Sequence, residues 1–156
     1  NLTALYNRAS GEAKINQLLY QNVQGAFAIL DIDDFKLFND NYGHQTGDDV
    51  LCALSKAMHS VFRSSDILWR FGGDEFAIYA VDMTDPEICR QRFAKLMQKL
   101  DKIDLPQVSS VHISISVGCT ICTSEQLEFS RLYKSSDAAL YESKKNGKGQ
   151  LTIKYL

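Results

Sequence analysis

Arg70-Phe71-Gly72-Gly73-Asp74-Glu75-Phe76 decides the fold of this chain, because it joins two apolar runs by a tight turn. Ile67-Leu68-Trp69 precedes it and Phe76-Ala77-Ile78-Tyr79-Ala80 follows. A Gly-Gly pair between two such runs is a strong hairpin signal, since glycine adopts the positive φ that tight turns demand. A β-hairpin is therefore predicted over residues 66–82. An ordinary hairpin tip needs no acids, and adjacent carboxylates repel one another unless a cation lies between them. Asp74 and Glu75 thus pose a chemical question. Gly73, with no Cβ, lets a phosphate or a base approach the backbone.

Residues 26–32, upstream, are apolar on both faces, as in a central strand covered on each side. Residues 10–23 read as an amphipathic helix through Leu18, Leu19 and Val23. Val50, Leu51, Leu54, Ala57, Met58, Val61 and Phe62 keep helical spacing, with Gly47-Asp48 at the start. Downstream of the hairpin, Pro86 opens a helix with Cys89, Phe93, Leu96, Leu100 and Ile103 on one face. Pro106 and Ser109-Ser110 separate it from a strand at 111–121; a last helix over 124–145 and an edge strand at 151–155 follow. The order strand, helix, strand, strand, helix, strand defines the fold class as α+β. It is the ferredoxin-like (split βαβ) antiparallel sheet with helices packed on one face, palm-like, plus extra N- and C-terminal elements. In that topology the first strand lies beside the hairpin, and its C-terminal end meets the tip.

The 156 residues are 45% hydrophobic, carry a formal net charge of −2, and contain no linker or low-complexity tract. This predicts one domain over 1–156. The charge provides no basic field for a nucleic-acid polymer. No apolar run reaches the roughly 18 residues of a membrane span. Asn1 in place of methionine predicts a domain excised from a larger protein. Four cysteines do not make a disulfide framework. Cys119 and Cys122 lie three apart in an alternating strand, so they face opposite sides and cannot share a metal. A reducing cytoplasm is the expected location.

The first strand ends Leu30-Asp31-Ile32-Asp33-Asp34, so its apolar run stops in carboxylates. Beside the hairpin tip, Asp31 and Asp74 converge, and neither segment supplies a lysine to neutralise them. Convergent carboxylates with a free carbonyl form a hard oxygen site suited to Mg²⁺ or Mn²⁺, and a two-metal phosphoryl-transfer centre is the expectation. The competing reading is a solvated strand end beside an acidic turn.

Four blocks then carry a family resemblance over essentially the whole chain. The hairpin run resembles the signature of GGDEF domains, the diguanylate cyclases. Leu2-Thr3-Ala4-Leu5-Tyr6-Asn7-Arg8 resembles the family's opening L-T-G-L-x-N-R. Asp31 to Asp40 with Gly43-His44-Gln45-Thr46-Gly47-Asp48 resembles its second block, and Asp137-Ala138-Ala139-Leu140-Tyr141 with Lys144 and Gly147-Lys148 its last. The resemblance implies a nucleotidyltransferase that joins two GTP into the bacterial second messenger cyclic di-GMP across a homodimer. It implies metal ligation by Asp31, the Ile32 carbonyl and Asp74, with two Mg²⁺ or Mn²⁺ ions per site. Asp74 is then also the base for the 3′-hydroxyl, and Glu75 a supporting catalytic acid. Asn39 and Asp48 become readers of the guanine edge, and Lys144 and Lys148 a triphosphate clamp. His44 contacts the nucleotide or only orders its loop. Arg63-Ser64-Ser65-Asp66 resembles the R-x-x-D site at which product inhibits. Taken without the family, Asn39 and Asp48 read equally well as turn and helix-cap residues, and the lysines as a solvated helix end.

The chain departs from the family pattern at Ala4, where glycine is usual, at Phe38, and at Lys148-Gly149, where arginine and asparagine are usual. Lysine keeps the charge but loses bidentate phosphate binding, which predicts weaker GTP affinity. None of these positions is a metal ligand. The first rival is a catalytically silent module that binds GTP or cyclic di-GMP; decay of the signature would favour it, and the signature is intact. The second is another nucleotide cyclase or palm-type polymerase using the same strand-end acids.

Overall fold

The computed structural model describes residues 2–156. Within them the chain runs α1 (Arg8–Tyr20), β1 (Gly25–Ile32), α2 (Phe35–Tyr42), α3 (His44–Val61), β2 (Ile67–Gly72), β3 (Glu75–Val81), α4 (Pro86–Lys99), β4 (Ile115–Cys122), α5 (Phe129–Lys145) and β5 (Leu151–Tyr155). The strands form one sheet in the order β2-β3-β1-β4-β5. β1 is antiparallel to β3 and β4, whereas β5 runs parallel to β4. The expected split βαβ arrangement is present, and β5 makes the sheet mixed.

Alternation along β1 divides the core between two faces. Ala26, Ala28, Leu30 and Ile32 cluster with Leu54 and Met58 of α3 and Phe93 and Leu96 of α4. Phe27 and Ile29 turn the other way, to Ile15 and Leu19 of α1 and Leu132 and Leu140 of α5. Helices thus cover both faces rather than one, because α1 and α5, the terminal additions, screen the second. Each large side chain buried this way contributes roughly 1.5–3 kcal/mol. Cys119 falls in the first cluster and Cys122 in the second, so the two thiols do face opposite sides.

α5 seats directly on the β4 backbone. A Cβ on Gly118 would lie 2.2 Å from the Leu140 nitrogen and the Ser136 carbonyl, a clash that only glycine avoids. Ser136 Oγ donates to the Phe27 carbonyl at 3.0 Å, and Ser143 Oγ to the Val117 carbonyl at 2.8 Å. These bonds fix the rotation of the helix and therefore the place of Lys144.

Several boundaries differ from expectation for local reasons. α1 starts at Arg8 because Asn7 caps it, accepting from the Ser10 amide at 2.9 Å. α3 starts at His44, directly after Gly43 at φ +88°, and so includes Gly47. The short α2 has no fully buried residue, although Phe35 and Phe38 pack against the core. Val111 pairs only in an isolated bridge with Ile103, so β4 begins later than predicted. The segment before α1 lies along β2: the Tyr6 amide donates to the Leu68 carbonyl at 3.3 Å, and the Arg70 amide to the Tyr6 carbonyl at 3.0 Å. Among the described residues no helix is long and apolar enough to cross a membrane.

Candidate active site

The β1–β3 register gathers the acids. Asp31 stands opposite Glu75, the first residue after the hairpin tip. Gly72 pairs with Glu75, which leaves Gly73 and Asp74 as a two-residue loop. Gly73 has φ +55° and Asp74 has no positive φ, the φ signs of a type II′ turn. Arg70 clamps this loop from within: its Nε and Nη2 donate to the Gly73 carbonyl at 3.0 and 2.7 Å. A register shift between Arg70 and Gly72 leaves Phe71 unpaired and twists the strand toward the tip.

Electrostatics distinguish the members of the cluster. Asp31 Oδ2 forms an ion pair with Lys144 Nζ, while the buried Asp31 Oδ1 has no hydrogen-bond partner. Burial pushes the Asp31 carboxyl above its ordinary value; Lys144 opposes this, and the Asp74 and Asp33 charges add to it. Burial also raises Glu75, which accepts from the Tyr133 hydroxyl at 3.4 Å. The expectation that no lysine neutralises these acids is corrected here. Neither the strand end nor the tip carries one, but α5 delivers Lys144 across the face of the sheet.

Asp33 serves the fold. It accepts from Ser114 Oγ at 2.5 Å, Ser116 Oγ at 2.6 Å and the Gly149 amide at 3.0 Å, tying β1 to β4 and to the loop after α5. In that loop Lys148 donates to Asp34 Oδ1 at 2.9 Å. Gly149 sits at φ +58°, a left-handed conformation that glycine takes freely and asparagine tolerates. The departure at this position therefore preserves the backbone path.

The α2–α3 turn brings Asn39 against Gly47. Asn39 Oδ1 is buried and unpartnered, and it lies 1.7 Å from where a Cβ on Gly47 would stand. Gly47 is glycine because the Asn39 amide occupies that space. Asp48 follows, half-buried in the first turns of α3, and His44 is exposed at its first position. Arg63 and Asp66 lie at the opposite end of β2 from the tip. Asp66 accepts from the Arg63 amide at 2.7 Å and the Val81 amide at 2.9 Å, so it anchors the turn between α3 and β2. The Arg63 guanidinium, half-exposed, folds back onto the Val81 carbonyl.

Among the described residues no three His, Cys, Asp or Glu side chains form a ready-made metal cage. Asp31 and Asp74 are close enough for each charge to act on the other, and both offer only oxygen donors. The buried, unpartnered Asp31 Oδ1 fits a cation, since an acceptor without a donor is costly there. Oxygen donors of this kind suit Mg²⁺ or Mn²⁺. Sequence reasoning missed four contributors: Arg70, Tyr133, Asp33 and Gly47. Arg70 borders the acidic tip and Gly47 sits beside a proposed guanine reader. Tyr133 carries no sequence signal beyond its helical position.

Residues 1–150 match the family described as "Diguanylate cyclase, GGDEF domain". The chain belongs to the GGDEF family. It is 32% identical over 97% of its length to the Escherichia coli protein named "Probable diguanylate cyclase DgcC", and 33% identical over 80% to diguanylate cyclase DosC of the same species. A Bacillus subtilis relative, the uncharacterized protein YtrP, is 36% identical over 97% of the chain. The chain spans 42%, 27% and 25% of the lengths of DgcC, DosC and YtrP. Among solved structures, the GGDEF domain of PA1120 (YfiN or TpbB) from Pseudomonas aeruginosa superposes with a TM-score of 0.86 at 26% identity, covering 98% of each chain. The GGDEF domain of DgcB from Caulobacter crescentus, solved in complex with c-di-GMP, superposes with a TM-score of 0.84 at 25% identity, covering 98% of this chain and 93% of that one.

Proposed function

We propose that this chain is a single GGDEF domain that, paired with a second copy, condenses two GTP into cyclic di-GMP with release of two pyrophosphates. The observation that carries the reading is the strand register: Asp31 faces Glu75, Asp74 stands at the tip, and Lys144 reaches the Asp31 carboxylate. In this reading the guanine edge is held by Asn39 and Asp48, whose oxygens accept from its N1–H and N2–H donors. His44 borders the nucleotide. Gly73 lets the phosphates approach the tip, and Lys144 and Lys148 meet the charge of the triphosphate.

Asp74 takes the proton of a 3′-hydroxyl. The 3′ oxygen forms a bond to the α-phosphorus of the GTP on the facing copy, and the bond to pyrophosphate breaks in line. When bound, two Mg²⁺ or Mn²⁺ ions held by Asp31, the Ile32 carbonyl and Asp74 would offset the charge that develops on the α-phosphate. Glu75 supports the cluster from beneath. A C2 pair of copies presents two equivalent attacks, and holding both GTP molecules in register supplies much of the rate gain. Product returns to the Arg63–Asp66 turn and inhibits, with the half-exposed Arg63 guanidinium as the accessible arm and the buried Asp66 holding the turn that presents it. The complex of the Caulobacter relative with c-di-GMP supports this reading. The domain works in the cytoplasm, where GTP is available.

Incubation with GTP and Mg²⁺, followed by chromatography, tests the reaction. Cyclic di-GMP and pyrophosphate should accumulate. Asp74→Asn should abolish both while leaving the melting curve intact, because it changes one charge on a half-buried turn residue outside the core. A cyclic mononucleotide, a linear product, or GTP bound but unconverted would overturn the reading.

A further inference from the structure

We propose that Lys144 acts as a placeholder cation, holding the divalent-ion site closed until a triphosphate draws it away. This rests on the function proposed above. Three observations carry it. The Lys144 ammonium sits on Asp31 Oδ2, one of the expected metal ligands, and the Asp31 side chain is only 15% exposed. The remaining carboxylate oxygen, Oδ1, is buried and has no donor, so the ammonium satisfies half of a site built for more positive charge. The second clamp lysine, Lys148, is likewise paired with an acid of the same strand end, Asp34.

The backbone beneath Lys144 is fixed. Its neighbour Ser143 is buried and bonds to the Val117 carbonyl and to Thr152 Oγ1 at 2.7 Å. Only the four-carbon stem of Lys144 is free to swing, and that side chain is 41% exposed. A divalent ion arriving at Asp31 alone must first expel a unit charge from the carboxylate it needs. A triphosphate offers the ammonium a partner of higher charge and so removes that obstacle. The same lysine then serves twice, as a guard at Asp31 and as a clamp on phosphate. By linkage, nucleotide tightens metal binding by the factor by which metal tightens nucleotide binding.

The test is titration with Mn²⁺ alone, followed by electron paramagnetic resonance of free Mn²⁺. It is repeated with an unreactive GTP analogue whose α–β bridging oxygen is replaced by methylene. Without nucleotide, Lys144→Met should bind Mn²⁺ roughly tenfold more tightly than the parent chain, about 1.4 kcal/mol. Lys144→Arg should stay near the parent value, and so should Lys154→Met, which removes a remote ion pair with Glu142. The analogue should then tighten Mn²⁺ binding by a smaller factor in Lys144→Met than in the parent. Lys144→Gln provides the same comparison if the methionine variant melts early. Mn²⁺ binding that is unchanged or weaker in both neutral variants overturns the placeholder while leaving the proposed function standing, provided the analogue still recruits Mn²⁺. Failure of the parent chain to bind Mn²⁺ even with the analogue overturns both.

Discussion

Ala4 holds φ +56°, in the left-handed region where a Cβ is strained by about 1–2 kcal/mol, and it occupies the position where glycine is usual in the family. Ala4→Gly should therefore stabilise the chain by about 1 kcal/mol, read as a rise of a few degrees in melting temperature. Gly47→Ala should act in the opposite sense on function. The new methyl takes the space of Asn39 Oδ1, so the amide must rotate away. Stability should change little, since alanine favours the helix, while the KM for GTP should rise about five- to tenfold for one lost hydrogen bond. Glu75 carries a pH signature. Its folded carboxyl, raised mainly by burial, holds its proton more tightly than the unfolded chain does at the ordinary value of 4.5. Its favourable contribution is complete below 4.5 and is lost as pH rises through the raised value. Glu75→Gln should accordingly melt above the parent near neutral pH, with the gap closing on acidification. A gap that widens in acid would contradict the assigned burial. At this scale the acids were legible in the sequence, because carboxylates ending an apolar strand are conspicuous. The partner of Asp31 was not, since Lys144 lies 113 residues away and only the seating of α5 brings it back.

The hairpin was the most legible element, since glycines, flanking apolar runs and acids all fell within the fourteen positions from Ile67 to Ala80. What holds its tip was not legible: the Arg70 side chain turns back onto a carbonyl three residues ahead. Arg70→Ala should leave β2 and β3 paired but release the Gly73–Asp74 loop. Turnover should fall at least tenfold with a stability loss of only about 1 kcal/mol, measured by initial rates and thermal melts. The helices were legible where one face is buried, as in α3 and α4. α2 was obscure because it is short: Phe35, Phe38 and Tyr42 keep helical spacing, but over only eight residues, none of them fully buried. α5 was recognised as a helix, but its dependence on Gly118 follows only from contact with β4. Gly118→Ala should cost about 1–3 kcal/mol through overpacking and shift Lys144 with the helix.

The ferredoxin-like order of the first four strands followed from the succession of elements, and the sheet confirms it. Coverage of the second face by α1 and α5 was missed, because a linear pattern cannot say to which side a terminal helix returns. If two copies each supply one GTP, activity per chain must depend on how often copies meet. Specific activity should fall on dilution, and a rate per chain that is flat across a wide dilution series would argue against transient pairing. The strap formed by Tyr6 against Leu68 and Arg70 has a consequence for handling the protein. It seals the outer margin of β2, where unsatisfied amides and carbonyls would otherwise invite a neighbouring molecule to add a strand. Trimming the chain back to Asn7 should leave that margin bare, and rising light scatter at constant concentration would report the resulting self-association.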